Sequence, residues 1–214
     1  MEYFSSQTGL PIICFLLLLP IIISIYPTRP VSSTIQSTAG QYLQLSSLST
    51  KLSSYNNTAG STPNNTFSTF QNSSALGMTI KYPNNWKTAL ANNSALVLMP
   101  PPDRDNFSEI LVVAMFGINN NVNVNQLSDQ AIKNYGALYN DFYILDLKPI
   151  SFQGKPAYLL LYVYTNPTAG KIVTMNIGIK AGNKAYIISF SAEQQEYYTF
   201  MPIIKKMINS FHLV

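Results

Sequence analysis

Three consecutive runs of strand-forming residues between Gly154 and Phe190 constrain the fold of this chain more than any other part of it. The runs cover residues 154–166, 171–181 and 183–190 and are rich in aromatic and β-branched residues, which are enriched in strands. Gly182-Asn183 separates the second run from the third and suits a two-residue hairpin whose first position has a positive φ angle. We therefore expect the last two runs to be antiparallel neighbours in one sheet.

The first two runs differ in the pattern of their side chains. Residues 157–164 are apolar on both faces, which is typical of a strand covered on both sides. In the second run, Thr174 and Asn176 alternate with large apolar residues, so this strand is expected to have one polar face. Tyr162 and Tyr164 would frame that face, which is the candidate binding surface. The same pattern also fits a face that is merely solvated or is covered by a helix.

The rest of the C-terminal part predicts further strands and two helices. Strands are expected over 77–82, 86–90, 95–99, 107–117 and 142–152, because each run is apolar or alternating and is bounded by turn residues. A helix capped near Asn125 is predicted from apolar residues that recur at three and four positions. These residues are Leu127, Ala131, Tyr135, Leu138 and Tyr139.

A second helix is expected near the C-terminus. Ser191-Ala192-Glu193-Gln194 matches a capping box, which predicts that the helix starts there. Pro202 would lose a hydrogen bond inside that helix, so we expect a short turn to end at Met201 and the main helix to begin at Pro202. Together these elements predict an α+β fold.

The N-terminal part decides the expected compartment. Residues 10–26 contain no charge and number 17, at the lower limit of about 17 to 25 residues that cross a bilayer as a helix. Residues 1–26 are therefore a membrane anchor or a secretory signal. Glu2 stands where a signal would be basic, and Pro27 and Pro30 flank the place of a cleavage site. The domain is expected outside the cytoplasm, tethered to the membrane through residues 10–26, or secreted if this segment is cleaved.

Residues 27–75 are dominated by Ser, Thr, Asn and Gln, a composition that predicts a disordered linker between the apolar helix and a domain at 76–214. Five Asn-x-Ser/Thr acceptors for N-glycosylation lie in this linker and just after it. They are Asn56, Asn64, Asn72, Asn92 and Asn106. Their clustering favours the cell exterior, although such a loose motif also arises by chance in an Asn-rich segment.

Charge and composition exclude several functional classes. The net charge of +4 is spread thinly along the chain, so we expect no nucleic-acid partner. Cys14 and His212 are the only cysteine and histidine, which argues against disulfides, zinc sites and Cys-His catalysis. The acidic residues Asp103, Asp105 and Glu109 lack the further oxygens of a calcium loop. We predict no metal site, no cofactor and no catalytic residues.

Four short motifs resemble the PsbP/Mog1-like family. They are Tyr82-Pro83-Asn84-Asn85-Trp86, Gly154-Lys155-Pro156-Ala157-Tyr158, Lys184-Ala185-Tyr186-Ile187-Ile188-Ser189-Phe190 and Ile208-Asn209-Ser210-Phe211. In this order they cover nearly all of Leu76 to Val214. The resemblance implies an antiparallel β-sheet sandwiched between helices and implies no catalysis. The family includes extrinsic subunits of photosystem II and a binder of the Ran GTPase. The reported metal binding of the photosynthetic members relies on histidines, of which this domain has only His212, so their functional residues are not carried over.

Two functional classes follow from these observations. The first is a non-enzymatic, membrane-tethered binding or scaffold protein outside the cytoplasm, with an unidentified protein partner at Tyr162, Tyr164, Thr174 and Asn176. The second is a small-ligand-binding domain, because apolar pockets leave no sequence motif. A hydrolase that uses His212 has no GxSxG motif or paired carboxylates to support it.

Overall fold

The computed structural model describes residues 66–91, 93–101, 109–139 and 141–214. These residues form ten strands and two helices. In chain order they are β1 (Phe67–Asn72), β2 (Met78–Pro83), β3 (Lys87–Ala91), β4 (Ala95–Met99), β5 (Ile110–Gly117), α1 (Val124–Leu138), β6 (Tyr143–Phe152), β7 (Lys155–Asn166), β8 (Gly170–Ala181), β9 (Lys184–Glu193), α2 (Tyr197–Asn209) and β10 (His212–Leu213).

Seven of the strands form one large antiparallel sheet in the order β3-β4-β5-β9-β8-β7-β6. The three runs from Gly154 to Phe190 are β7, β8 and β9, and each pairs with the next. The turn between β8 and β9 consists of Gly182 and Asn183, and the φ angle of Gly182 is +62°. The predicted hairpin is therefore confirmed.

Helix α1 covers one face of the large sheet. Its apolar side, with Leu127 and Tyr135, packs on Tyr158, Leu160 and Tyr162 of β7. Its N-cap is Asn123 rather than Asn125: the Asn123 side chain accepts a hydrogen bond from the Gln126 backbone N–H, and the Gln126 side chain accepts one from the Asn123 N–H. This reciprocal capping box fixes the start of the helix two residues earlier than predicted.

Helix α2 packs on the opposite face, where Met201, Ile204 and Met207 join the main core cluster. The capping box predicted at Ser191–Gln194 is wrong, because β9 continues through Glu193 and pairs with β8 as far as Ile172. Pairing with β8 keeps this segment extended, although its local sequence favours the start of a helix. The predicted break at Pro202 is also wrong, since this proline lies inside a helix that runs from Tyr197 to Asn209.

A three-stranded antiparallel sheet, in the order β1-β2-β10, shares the core cluster of α2 and so lies on the same side of the large sheet. Met78 and Ile80 of β2 are fully buried in the main core cluster. Strand β1 falls within the predicted linker at 27–75, so the folded part begins earlier than the predicted boundary at residue 76. The linker prediction failed at its C-terminal end because β1 pairs along its whole length with β2.

Each of the four motifs contributes a large aromatic side chain to the core. Tyr158, Phe190 and Phe211 are among the largest fully buried side chains, and Trp86 packs edge-on against Phe200 of α2. His212, the one histidine, lies in the short strand β10 and is exposed.

Several predicted features lie outside the described residues. They are the apolar segment at 10–26, most of the linker, and the acceptors Asn56, Asn64, Asn92 and Asn106. Neither of the two helices in the described part of the chain combines the length and the apolar character needed to cross a bilayer.

Candidate functional site

The four residues of the predicted binding face come together in the fold. Tyr162 pairs with Thr174, Tyr164 pairs with Ile172, and Asn176 lies next along β8 on the same face. Helix α1 covers this face, so the exposed fractions are 2% for Tyr162, 9% for Tyr164, 1% for Thr174 and 0% for Asn176. Of the alternatives predicted for this face, a surface covered by a helix is the one observed, because the apolar side of α1 docks there.

Polar side chains of this face form hydrogen bonds with neighbouring side chains of α1 and β9. Asn176 Nδ2 donates a hydrogen bond of 2.9 Å to the Tyr135 hydroxyl of α1, and the Thr174 and Ser191 hydroxyls are 2.9 Å apart. Asn176 Oδ1 and the Tyr158 hydroxyl are buried without a hydrogen-bond partner among the described residues. The face is a partly satisfied polar layer between helix and sheet, which is costly to bury and sensitive to substitution.

Aromatic rings surround that layer. Tyr139 stacks on Tyr164 with ring centroids 3.9 Å apart, and Tyr135 stacks on Tyr162 at 5.0 Å. Desolvation raises the pKa of Tyr135, Tyr139 and Tyr162 well above the ordinary tyrosine value, and it raises the pKa of Tyr164 to about 12. These hydroxyls therefore stay protonated at neutral pH. The cluster stabilises the contact between α1 and the sheet and offers no group suited to acid–base chemistry near neutral pH.

The outer edge of strand β6 is a second candidate binding surface, which was not predicted from the sequence. This strand is ten residues long and pairs only with β7 among the described residues. Three of the six exposed large apolar side chains in the described part of the chain lie between Leu138 and Leu147. They are Leu138, Tyr143 and Leu147, exposed by 42%, 59% and 42%. The opposite edge, β3, has only five residues.

Apolar side chains flank the β6 edge on both faces of the sheet. Tyr143 pairs with Val163, which belongs to the cluster on the α2 side, whereas Leu147 pairs with Leu160, which belongs to the cluster on the α1 side. A segment that approached this edge would therefore meet an apolar side chain above and below the sheet. Single exposed apolar residues are common, but a long edge strand that carries them and is paired on one side only marks a site for another chain.

The same strand carries features that restrict pairing at its edge. A bulge interrupts the register between Ile144 and Asp146, Lys148 forms a salt bridge of 2.8 Å with Asp146, and Pro149 lacks a backbone donor. Such features limit indiscriminate pairing between edge strands. Pro149 was also the available sequence signal, because a proline within a strand pattern indicates an edge strand.

A surface pocket of about 340 Å³ lies at the N-terminal end of α1. Asparagine provides half of its lining, and Lys180 is its one charged residue. The lining residues are Asn120, Asn121, Val122, Asn123, Val124, Asn125, Pro156 and Lys180. Its volume is at the small end of the range for ligand sites, roughly 300 to 1,000 Å³.

The described residues contain no group of three or more His, Cys, Asp or Glu side chains placed to hold a metal ion. Of the acidic residues near the start of β5, Glu109 is buried, whereas Asp103 and Asp105 lie outside the described part.

The fold defines the class of this protein as an α+β domain with a large antiparallel sheet, helices packed on its faces and a long edge strand, β6, that pairs on one side only among the described residues. The chain belongs to the family of PsbP-like proteins, whose family model matches residues 33–213. The resemblance to the PsbP/Mog1-like family that the four sequence motifs indicated is thus confirmed. A search of curated protein sequences gave no match.

Solved structures are similar to this chain in fold. Cyanobacterial PsbP (CyanoP) from Synechocystis sp. PCC 6803 has a TM-score of 0.54 and 14% identity, and the match covers 74% of this chain and 99% of CyanoP. The Ran-binding protein Mog1p from Saccharomyces cerevisiae has a TM-score of 0.50 and 12% identity, with 71% of this chain and 97% of Mog1p covered. At this level of identity, the similarity establishes the fold alone.

Proposed function

We propose that this protein is a non-catalytic accessory protein that binds a partner protein outside the cytoplasm while tethered to the membrane through residues 10–26. PsbP-like proteins are generally accessory proteins without an enzymatic activity, which supports the absence of catalysis. The structural neighbour Mog1p is described as Ran-binding, so the fold is compatible with binding a protein.

The observation that carries the proposal is the outer edge of β6, which no other strand of the described residues covers, with Tyr143 and Leu147 exposed on its two faces. An extended segment of the partner would add as a further strand, with main-chain hydrogen bonds for affinity and side-chain contacts to Tyr143 and Leu147 for specificity. The bulge after Ile144 and the missing donor at Pro149 would admit only a partner of matching register. This surface replaces the face of Thr174 and Asn176, which α1 covers.

The location outside the cytoplasm rests on the sequence before the domain. An uncharged apolar segment at 10–26 is followed by a polar stretch with several glycosylation acceptors, which suits a tether that holds a domain away from a membrane. Protease added to intact cells is expected to digest the domain. Its protection until the cells are lysed would contradict this part of the proposal.

The partner surface is tested with two matched substitutions in the full-length protein in its native cells. Leu147→Asp places a charge on the β6 edge, whereas Leu90→Asp places one on the opposite edge at a side chain of similar exposure, 47% against 42%. Native gels of gently solubilised membranes are expected to show wild type and Leu90→Asp in one complex with a second protein, and Leu147→Asp as the free protein. Equal behaviour of the two variants, both with wild-type melting temperatures, would refute the β6 edge as the surface.

A small-ligand-binding domain is the second candidate, and the pocket at the N-terminal end of α1 supports it. Lys180 and several asparagine amides would favour a small polar or anionic ligand. Thermal-shift measurements with a panel of metabolites test this function, because a ligand that binds only the folded state raises the melting temperature. A shift that Lys180→Met abolishes would support it, and no shift across the panel would argue against it.

A further inference from the structure

Asn72 is the one candidate glycosylation acceptor that lies within the described residues, at the end of β1. Its side chain has a structural role as well. Asn72 Oδ1 accepts hydrogen bonds from the backbone N–H groups of Ala75 at 2.8 Å and Leu76 at 3.3 Å. The Asn72 carbonyl oxygen thus caps the turn that leads from β1 to β2.

The two sides of the Asn72 amide face different surroundings. The oxygen points into the turn, which the fully buried Leu76 and Met78 anchor to the core. The nitrogen, Nδ2, donates no hydrogen bond to any part of the chain that the structure describes. Ser73 and Ser74 beside it are exposed. Nδ2, the atom that would carry a glycan, therefore makes no hydrogen bond within the described residues, whereas Oδ1 holds the turn.

The third residue of the acceptor motif is also suitably placed. The Ser74 hydroxyl lies 3.5 Å from Asn72 Oδ1 and makes no contact that the core requires. An N-glycosylated asparagine remains an amide, so its carbonyl oxygen can still accept both backbone hydrogen bonds. A glycan at this position is compatible with the folded domain and would project from β1, the outer strand of the small sheet.

We propose that Asn72 carries an N-linked glycan in the native protein. The donor would be a lipid-linked oligosaccharide: Asn72 Nδ2 forms a bond to the anomeric carbon, the lipid phosphate leaves with the electron pair of the broken bond, and Nδ2 loses one proton. The inference rests on the proposed location outside the cytoplasm, where this transfer takes place, and does not depend on the partner at β6.

The test uses the full-length protein purified from its native cells. Chymotrypsin, which cleaves after Phe, separates Asn72 from Asn64 because Phe67 and Phe70 lie between them. We expect mass spectrometry to find a glycan on the peptide that contains Asn72. The glycan should be lost in Ser74→Ala, which breaks the acceptor motif but keeps the turn-capping oxygen, and should be retained in Ser74→Thr, which preserves the motif.

Three outcomes would overturn the inference, and the first two differ in what they imply for the location. Recovery of the Asn72 peptide only in unmodified form, with the domain digested by protease added to intact cells, would refute the glycan and leave the location standing. An unmodified Asn72 peptide together with protection of the domain from that protease would refute both. Loss of the glycan in Ser74→Thr as well as in Ser74→Ala would show that the modification does not follow the acceptor motif.

Discussion

The ring of Tyr158 occupies the space in which a side chain at Gly178 would lie. The two residues are cross-strand partners in β7 and β8, and a Cβ atom built on Gly178 would be 2.1 Å from Tyr158 Cε1. Glycine is therefore required at this position by the close approach of an aromatic ring. The pair lies on the face of the sheet that α1 covers, next to Asn176.

We expect Gly178→Ala to destabilise the domain, because the added methyl group forces the ring of Tyr158 out of its packed position. Overpacking of this kind costs about 1–3 kcal/mol. Urea denaturation measures the change in the free energy of unfolding. Gly117→Ala is the matched control, since a Cβ there meets nothing within 4 Å. Equal stabilities of the two variants would contradict the assignment of Gly178.

The buried hydroxyls of Tyr135 and Tyr158 are expected to respond in opposite ways to removal. Tyr135→Phe leaves Asn176 Nδ2 without its acceptor, which should lower the free energy of unfolding by about 1–3 kcal/mol. Tyr158→Phe removes a hydroxyl that has no hydrogen-bond partner among the described residues, so stability should be unchanged or higher. Thermal denaturation of both variants is the measurement, and a larger loss in Tyr158→Phe would contradict the hydrogen-bond assignment.

The tyrosine cluster predicts a loss of stability at alkaline pH. Desolvation raises the pKa of Tyr164 to about 12 and also raises the pKa of Tyr139 and Tyr158, whereas tyrosines in the unfolded chain titrate near pH 10. The unfolded state therefore releases protons first. The stabilisation by these buried, protonated tyrosines is fully present below about pH 10. It is lost as the pH rises towards their pKa values in the folded state.

Tyr164→Phe measures this effect at one position. Between pH 10 and 12, its free energy of unfolding should fall less steeply than that of wild type, by about 1.4 kcal/mol per pH unit for one proton. Urea denaturation at pH 8 to 12 gives both slopes. Identical slopes in the two proteins would contradict the raised pKa of Tyr164.

Pro202 is expected to weaken α2. It is the sixth residue of the helix, so its missing N–H removes a hydrogen bond to the preceding turn and its ring crowds that turn. Pro202→Ala should raise the free energy of unfolding by about 1–3 kcal/mol. Because Pro202 is exposed, little packing is lost, and Lys205→Ala on the same exposed surface serves as the near-neutral control. A destabilised Pro202→Ala would mean that the proline shapes a bend which the core needs.

Features set by neighbouring residues were predictable from the sequence. Gly182-Asn183 specified the hairpin between β8 and β9, because turn type depends on the two central residues. The spacing of Leu127 and Tyr135 identified α1. The helix start predicted at Ser191 to Gln194 was wrong because it rested on a local pattern alone. Pairing of Glu193 with Ile172 across the sheet keeps this segment extended.

The candidate surface depended on contacts between distant parts of the chain. Alternation in β8 showed that Thr174 and Asn176 share a face, but only the docking of α1 decides that this face is buried. Strand β1 was not predicted, because the Ser- and Asn-rich composition around it indicated a linker. Phe67 and Phe70 of this strand nevertheless pack against the main core. The β6 edge had one local signal, Pro149, whose meaning depends on the order of strands in the sheet.

Site-specific photo-cross-linking in native membranes tests the central claim most directly. A photoreactive residue would replace Tyr143 or Leu147 on the β6 edge, with Leu90 on the opposite edge as the control; all three side chains are exposed. We expect one partner protein to be captured at positions 143 and 147 and not at 90. Capture of that protein equally at 90, adducts that contain only this chain, or no adduct at 143 and 147 would contradict the account.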